Sequence, residues 1–359
     1  HNMALKSGKR LKFGIKMGEV TEIFCLVTSV LLIAGCVRRD LVDPDESALL
    51  RIRVNTVAVS NVTADIYNEK IPRPNLSSDV LRVLFYDQSG ERMLSEGFIT
   101  EKSIDENGND VISGSVYLSP GNYRIMAYNF DTPTTQVRNH QSWYDATAYT
   151  STISDALRAQ IVSRADWSEH IYYEPDHLIV ARETNRTIVP HHGDLVIEMD
   201  ASSIIDTYYV QIRVKNLEYA STANAVLTGL SSSNNIGDNI RNEEESSAIF
   251  IELHKSIDEN ITDGNQDVLC AVFNTFGKID DMPSNMYITF NAVSREGEIV
   301  EKEIDMTPIF ATEDARVRHW LLINEVWELP KPTTPPSTGG GFNPEVDDWD
   351  DEEENIPIE

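Results

Sequence analysis

Short segments in which apolar and polar residues alternate recur along this chain, and this pattern constrains its fold more than any other feature. Residues 50–55 (LRIRVN) alternate with a period of two, which indicates a strand with one buried face. The other predicted strands are 80–86, 112–118, 123–128, 195–200, 208–214, 248–253, 268–273, 286–290, 298–304 and 320–326. Turn residues separate them and no helices alternate with them, so we predict an all-β fold of antiparallel β-sandwiches.

The spacing of these signals also predicts how the chain is divided. Strand patterning fades over residues 143–167, where apolar residues at helical spacing predict a helix or an irregular insertion. These residues are Ile153, Leu157, Ile161 and Val162. A loop at residues 190–193 (PHHG) then precedes a second series of strands. We therefore predict one β-sandwich over residues 48–189 and another over residues 190–330.

The N-terminal region has the layout of a bacterial lipoprotein signal. A basic block is followed by an apolar core at residues 23–34 and by the sequence IAGC at residues 33–36. The basic residues are Lys6, Lys9, Arg10, Lys12 and Lys16. The apolar core is well short of the roughly 20 residues that a transmembrane helix needs. We predict that residues 1–35 are a cleaved signal peptide and that Cys36 then receives a lipid.

The charge balance excludes some classes of partner. The chain has 58 acidic and 30 basic side chains; residues 1–35 hold two and five of these, which leaves 56 and 25 and a net charge near −31. Such a surface repels nucleic acids and other polyanions. With Cys25 removed and Cys36 lipidated, only Cys270 remains, so no disulfide can form within the chain. Cys270 lies in an apolar run, which predicts a buried core thiol.

Both ends of the predicted mature chain are polar. Residues 36–47 are rich in charge and are predicted to be an acidic tether between the lipid and the body. Residues 331–341 form a linker of proline, threonine and glycine, and residues 342–359 carry nine acidic residues and no basic one. This tail is either disordered or a segment that pairs with the sheet edge of a partner. Its candidate partner-binding residues are Phe342, Val346, Trp349, Ile356 and Ile358.

Several of these stretches together resemble the fimbrial lipoproteins of the Bacteroides group. They are the lipobox with its acidic tether, DVLRVLFYD at residues 79–87, LSPGNYRIMAYNF at residues 118–130, and GGGFNPEVDDW at residues 339–349. The resemblance implies two transthyretin-like β-sandwich domains in tandem and a fimbrillin-like pilus subunit or anchor of the type V pilus. It also implies other fimbrial subunits as partners and a lipid-anchored location at the outer membrane.

In that family a protease cuts stalk subunits after an arginine to remove an N-terminal strand, and a neighbour's strand fills the vacated groove, whereas anchor subunits keep their lipid. Removing a strand exposes backbone donors, acceptors and apolar side chains, and a donor strand satisfies both. Here Arg51 and Arg53 lie in a predicted strand, and Arg73 lies between two prolines. The remaining candidate cutting sites, Arg38 and Arg39, would release almost no strand. We therefore predict an anchor or accessory subunit, although the acidic run at residues 347–354 departs from the alternation of a donor strand.

The sequence gives little support for metal binding or catalysis. Asp105, Asn107, Asn109 and Asp110 resemble part of a calcium loop, but the glycine comes too early and the distal glutamate is absent, so a hairpin tip is predicted. The histidines show no ligand spacing, and neither a zinc-protease motif nor a nucleophile elbow is present. We expect no enzymatic activity, no metal and no cofactor.

One alternative function remains at this point, a surface glycan-binding lipoprotein with the same tandem architecture. Its stacking platforms would be Trp143, Tyr144, Tyr149 and Trp167, which otherwise pack in the core of an insertion. A flat row of exposed rings would favour glycan binding. A strand groove that is empty or filled by the chain itself would favour the fimbrial subunit.

Overall fold

The computed structural model describes residues 48–56, 66–67, 71, 76–162, 170–191, 193–279 and 286–332. Its strands in chain order are β1 (Ala48–Asn55), β2 (Leu81–Asp87), β3 (Met93–Ile99), β4 (Glu101–Ile104), β5 (Asp110–Leu118), β6 (Gly121–Asn129), β7 (Gln136–Arg138), β8 (Thr147–Tyr149), β9 (Ile171–Tyr173), β10 (Ile179–Ile188), β11 (Leu195–Ser203), β12 (Asp206–Lys215), β13 (Ala220–Ser231), β14 (Ser233–Asn235), β15 (Ile240–Arg241), β16 (Ser246–Ile257), β17 (Asp267–Thr275), β18 (Tyr287–Ser294), β19 (Ile299–Asp305) and β20 (Trp320–Glu328). The helices are α1 (Asp155–Arg158) and α2 (Thr307–Phe310), with a 3-10 turn at Leu217–Tyr219 and a π-helical turn at Asp314–Arg318. The predicted all-β class is confirmed.

The first sheet has eight strands in the order β3-β2-β6-β10-β11-β1-β5-β4. Its bend lies in β11, where residues up to Asp200 pair with β1 and residues from Ala201 pair with β10. Apolar side chains from both halves of the sheet, including Ile52 of β1 and Phe85 of β2, form one buried cluster. The sheet therefore folds over its own core as two layers, because each strand places alternate side chains on the inner face.

The second sheet repeats this arrangement in the order β19-β18-β13-β16-β17-β12-β20, with β9 also paired to β16. Here β16 bends, since Leu253 still pairs with β13 whereas His254 pairs with β17. The inner faces form a second cluster, which includes Phe290 and Trp327. Cys270 is fully buried on the outer side of this sheet and forms no disulfide, which confirms the predicted core thiol.

The segment between β6 and β10 pairs with strands from the second half of the chain. Its strands β7 and β8 join β14 and β15 in a third, four-stranded sheet, and β9 pairs in parallel with β16. Ser154 caps the single turn of α1, which lies where helical spacing was noted, and the neighbouring Ile153 and Ile161 are buried against the second sheet. The insertion therefore fastens the two large sheets to each other.

Trp143 is the centre of this junction. It is fully buried, its ring meets Tyr86 edge-on at 5.7 Å between centroids, and its Nε1 donates to Asp238 Oδ1 at 2.9 Å. Across from it lies Gly237, where an added Cβ would fall 2.1 Å from the Trp143 carbonyl oxygen. No residue with a side chain fits there without a shift of the backbone, so glycine at position 237 is what allows Trp143 to pack this closely.

The domain boundary at residue 190 stays a prediction. The strand that follows it, β11, pairs with β1 and β10 of the first sheet, and β12 is the first strand of the second sheet. The chain therefore passes from one sheet to the other between Ser203 and Asp206.

We expect Trp143→Ala to lower the free energy of unfolding by about 3–5 kcal/mol, because it leaves a large cavity at a fully buried position. Urea denaturation would measure the change. Tyr144→Ala is the matched control: this neighbouring ring is 46% exposed, and the loss of its contact with Arg124 and its hydrogen bond to Ser89 O should cost only about 1–2 kcal/mol. Equal losses from the two substitutions would contradict the role given to Trp143.

The junction also predicts a pH dependence of stability. Glu174, which follows β9, accepts a hydrogen bond from the backbone N of Asn274 at 2.8 Å, and burial raises the pKa of Glu174 to about 7, helped by the nearby Asp176 carboxylate. The folded state thus holds a proton that the unfolded state has released. Stability due to this group is complete below its unfolded pKa, near 4.5, and is lost as the pH rises towards 7.

Glu174→Gln keeps an oxygen acceptor for Asn274 and removes the titration, so the variant should gain stability relative to the parent as the pH rises from about 4.5 to 7. Thermal melts across that range would show it. Glu198→Gln, at an exposed carboxylate on β11, is the control. Its melting temperature should change with pH in the same way as that of the parent. If the stability of Glu174→Gln also changes with pH as that of the parent does, Glu174 does not hold the proton in the folded state.

Candidate functional site

The N-terminal strand β1 is the element that connects the fold with the predicted tether. Its sequence places Leu50, Ile52 and Val54 on the inner face, and all three are fully buried in the first core. Arg51 and Arg53 point to the outer face, as the alternation predicts. A strand of this kind is held by both its backbone and its side chains.

The backbone of β1 is paired along both edges. It runs antiparallel to β5, from Ala48 opposite Leu118 to Asn55 opposite Val111, and parallel to β11, from Leu50 opposite Leu195 to Asn55 opposite Asp200. The space between β5 and β11 is therefore a strand-wide groove with an apolar floor, and the chain fills it with its own N-terminal strand.

The two arginines of β1 are held by acidic partners on β4 and β11. Arg51 forms an ion pair with Glu101 and donates to Ser113 Oγ at 3.1 Å, whereas Arg53 lies 3.7 Å from Glu198. A protease needs an extended, accessible segment around the bond it cuts. Since both residues lie inside a paired strand, the folded protein presents neither for cleavage.

The residues predicted for lipidation, cleavage and partner binding lie outside the described residues. They are Cys36, Arg38, Arg39, Phe342, Val346, Trp349, Ile356 and Ile358. These assignments stay predictions. The described chain enters at Ala48, directly into the groove, and ends at Pro332 beside a small cavity of about 140 Å³ lined by Tyr219, Val300 and Leu329.

The aromatic residues considered for glycan stacking do not form an exposed row in the described part of the chain. Trp143 is fully buried, and the ring of Tyr144 lies beneath the guanidinium of Arg124, with its hydroxyl donating to Ser89 O at 2.9 Å. Tyr149 is half-buried under Arg138, and Trp167 lies outside the described residues. The described rings therefore stabilise the insertion.

The predicted hairpin tip at Asp105 is confirmed. Asp105 Oδ1 accepts hydrogen bonds from the backbone N of Asn107 and of Asn109, both at 2.8 Å, and hydrogen bonds from Asn109 and Asn107 lower the pKa of Asp105. Gly108 adopts a φ of 83°, which closes the turn between β4 and β5. The Asp105 carboxylate therefore accepts hydrogen bonds from the backbone of its own loop.

Two features are absent from the described ranges, a metal-binding cluster and a membrane-spanning helix. No group of three or more histidine, cysteine, aspartate or glutamate side chains is placed to hold a metal ion. No helix there has the length and apolarity needed to cross a bilayer.

Comparison with known proteins identifies the family. The family described as "Domain of unknown function (DUF5119)" matches residues 35–252, which is more than half of the chain. The chain belongs to this family. A Bacteroides ovatus protein named "Putative fimbrium anchoring subunit Fim4B" is 26% identical, over 93% of this chain and 97% of that protein. The resemblance to Bacteroides-group fimbrial proteins predicted from the sequence is confirmed.

Solved structures share the fold. A crystal structure of a "putative adhesin" from Bacteroides ovatus superposes with a TM-score of 0.56 at 20% identity, covering 84% of this chain and 99% of that one. The fimbrial anchor protein Mfa2 from Porphyromonas gingivalis aligns at 13% identity over 77% of this chain and 88% of its own, with a TM-score of 0.42. The first likeness shows a common fold, and the second is too distant to argue from.

Sequence reasoning located β1 but missed what surrounds it. The parallel pairing of β1 with β11 joins residues about 145 positions apart, as in Leu50 opposite Leu195. No pattern among residues close together in the sequence predicts the pairing of β1 with β11. The apolar alternation in residues 195–200 was the only available signal, and it identified the strand without identifying its neighbour.

We expect Ile52→Ala to destabilise the protein by about 2–5 kcal/mol, since Ile52 is fully buried in the strand that fills the groove. The same change should accelerate trypsin cleavage after Arg51 and Arg53, which mass spectrometry of the fragments would detect. Ser115→Ala, on the exposed face of β5, should change stability by less than about 0.5 kcal/mol. Resistance of Ile52→Ala to trypsin equal to that of the control would show that β1 is not what protects these sites.

Proposed function

We propose that this protein is an outer-membrane lipoprotein that serves as a structural fimbrial subunit, in an anchor or accessory position. Cys36 carries the lipid, the N-terminus is retained, and partner subunits join by β-strand complementation. The single observation that supports this most is that β1 fills its own groove and offers no accessible arginine to a processing protease.

The name of the Bacteroides ovatus relative supports the same role, since that protein is named for fimbrium anchoring and matches nearly the whole chain. We further propose that the two folded-over sheets are tandem transthyretin-like sandwiches. The partners are other fimbrial subunits, and the tail residues Phe342, Val346, Trp349, Ile356 and Ile358 are the candidate contact segment.

The geometry of β1 suits an anchor. A pull on the lipid at Cys36 would act along β1 from its N-terminal end, and β1 is paired with β5 and β11 along its sides. Sliding the strand out requires its ladder hydrogen bonds to break together and its three core side chains to leave the apolar interior. A strand at the edge of the sheet would be held by one ladder of hydrogen bonds instead of two and would resist the same pull less.

The test is made on native envelope material. We expect the protein to co-purify with a fibre, and mass spectrometry should find a mature N-terminus at Cys36 bearing lipid. Cys36→Ser should release the protein from the membrane fraction and leave the fold unchanged, since Cys36 precedes the first strand.

Two outcomes would contradict the proposal. A mature N-terminus beyond about Arg53 would place the chain with processed stalk subunits. A freely extractable monomer that binds polysaccharide would support the glycan-binding alternative.

A further inference from the structure

An exposed apolar surface lies at the end of the first sheet where β1 begins. We name it the tether-end patch and define it as Leu49, Tyr117, Val189 and Val196. Tyr117, Val189 and Val196 are 70%, 55% and 46% exposed, and Leu49 is half-buried. Single exposed apolar residues are ordinary on a protein surface, whereas a group of them at one corner calls for an explanation.

The pairing of the strands shows that these residues are neighbours. Tyr117 lies directly opposite Leu49 across the β1–β5 ladder, and Val196 lies opposite Arg51 in the β1–β11 ladder, on the same outer face. His191 brings the loop after β10 to this corner, because its ring nitrogens lie 3.0 Å from Val189 O and 3.2 Å from Leu49 O.

The position of the patch indicates what covers it. Only residues 37–47 separate Cys36 from the start of β1. Fully extended, eleven residues reach about 40 Å, and a flexible chain of that length has a root-mean-square span of roughly 20 Å. A lipid on Cys36 would therefore keep this end of the first sheet within about 40 Å of the bilayer.

The charges near the patch define the kind of lipid surface it fits. Arg51 is paired with Glu101, Arg53 lies near Glu198, and Asp194 is exposed beside β11. No excess of positive charge is left here to attract anionic headgroups, and the chain as a whole is strongly acidic. The chemistry fits the interface of a neutral, zwitterionic bilayer, with tyrosine at headgroup level and aliphatic side chains below it.

We propose that the tether-end patch rests on the headgroup boundary of the membrane leaflet that holds the Cys36 lipid. This inference rests on the lipid anchoring proposed above. The patch is too small to hold a free protein on a membrane, but the tether supplies a high effective concentration of lipid surface. Contact at this corner would give the protein a defined tilt, with the second sheet directed away from the bilayer.

The experiment uses a tether that does not depend on native lipidation. The mature chain from residue 36, with Cys36→Ser and an N-terminal polyhistidine, is bound to phosphatidylcholine vesicles through nickel-chelating lipids. Val196→Cys is labelled with the fluorophore nitrobenzoxadiazole (NBD); the natural thiol, Cys270, is fully buried and should not react. Quenching by spin-labelled lipids then reports contact with the bilayer.

Ile104→Cys is the matched control. Ile104 is 70% exposed at the end of β4, beside the Asp105 hairpin and opposite Asp110, so it lies at the far end of the same sheet. We expect spin-labelled lipid to reduce NBD emission at position 196 roughly twofold and to leave position 104 nearly unchanged. Adding Tyr117→Ser should weaken the quenching at 196, because a large interfacial side chain is lost from an exposed position that the fold does not need.

Equal quenching at positions 196 and 104, or none at either, would overturn the patch proposal. The lipid on Cys36 is read separately, from the mass of the N-terminus of the native protein. Its absence would contradict the proposed function, whereas the vesicle experiment would still decide whether the patch contacts a membrane.

Discussion

The pairing of β1 on both of its edges is the constraint on which the rest of the structure depends. Its inner side chains complete the first core, and its backbone joins β5 and β4 to β11, the strand that bends between the two layers of the first sheet. The predicted tether precedes this strand directly. A load applied at the N-terminal end of β1 would thus reach a strand that is paired on both sides rather than a strand at the edge of the sheet.

The junction extends that continuity to the second half of the chain. The insertion between β6 and β10 contributes β7 and β8 to a shared small sheet, contributes β9 to the second large sheet, and buries Trp143 against Gly237 and Asp238. Because these contacts combine backbone pairing with a close-packed ring, the two sheets should move as one unit. A pair of flexibly linked domains would lack that stiffness.

Local patterns predicted much of the secondary structure and little of its arrangement. The alternation at 208–214 and 268–273 gave strands that the structure contains as β12 and β17, and Asp105 was correctly assigned to a hairpin tip. The role of the insertion was missed, because its apolar residues are matched by partners such as Val226 and Phe250, more than 60 residues away. Tyr117 and Val196 lie on the polar face of their alternating strands, but only the register of β1 placed them at the same corner of the sheet.

The sequence by itself determined that this protein is all-β and strongly acidic, because composition and period-two alternation depend on residues close together in the chain; it also predicts a lipoprotein-type N-terminus. Only the tertiary structure decided that β1 occupies a central groove and that Trp143 locks two sheets together. It also decided that an apolar corner lies beside the point where the tether enters. The physical reason is that strand pairing is made by backbone groups, which are the same in nearly every residue, so the choice of partner depends on how distant side chains pack.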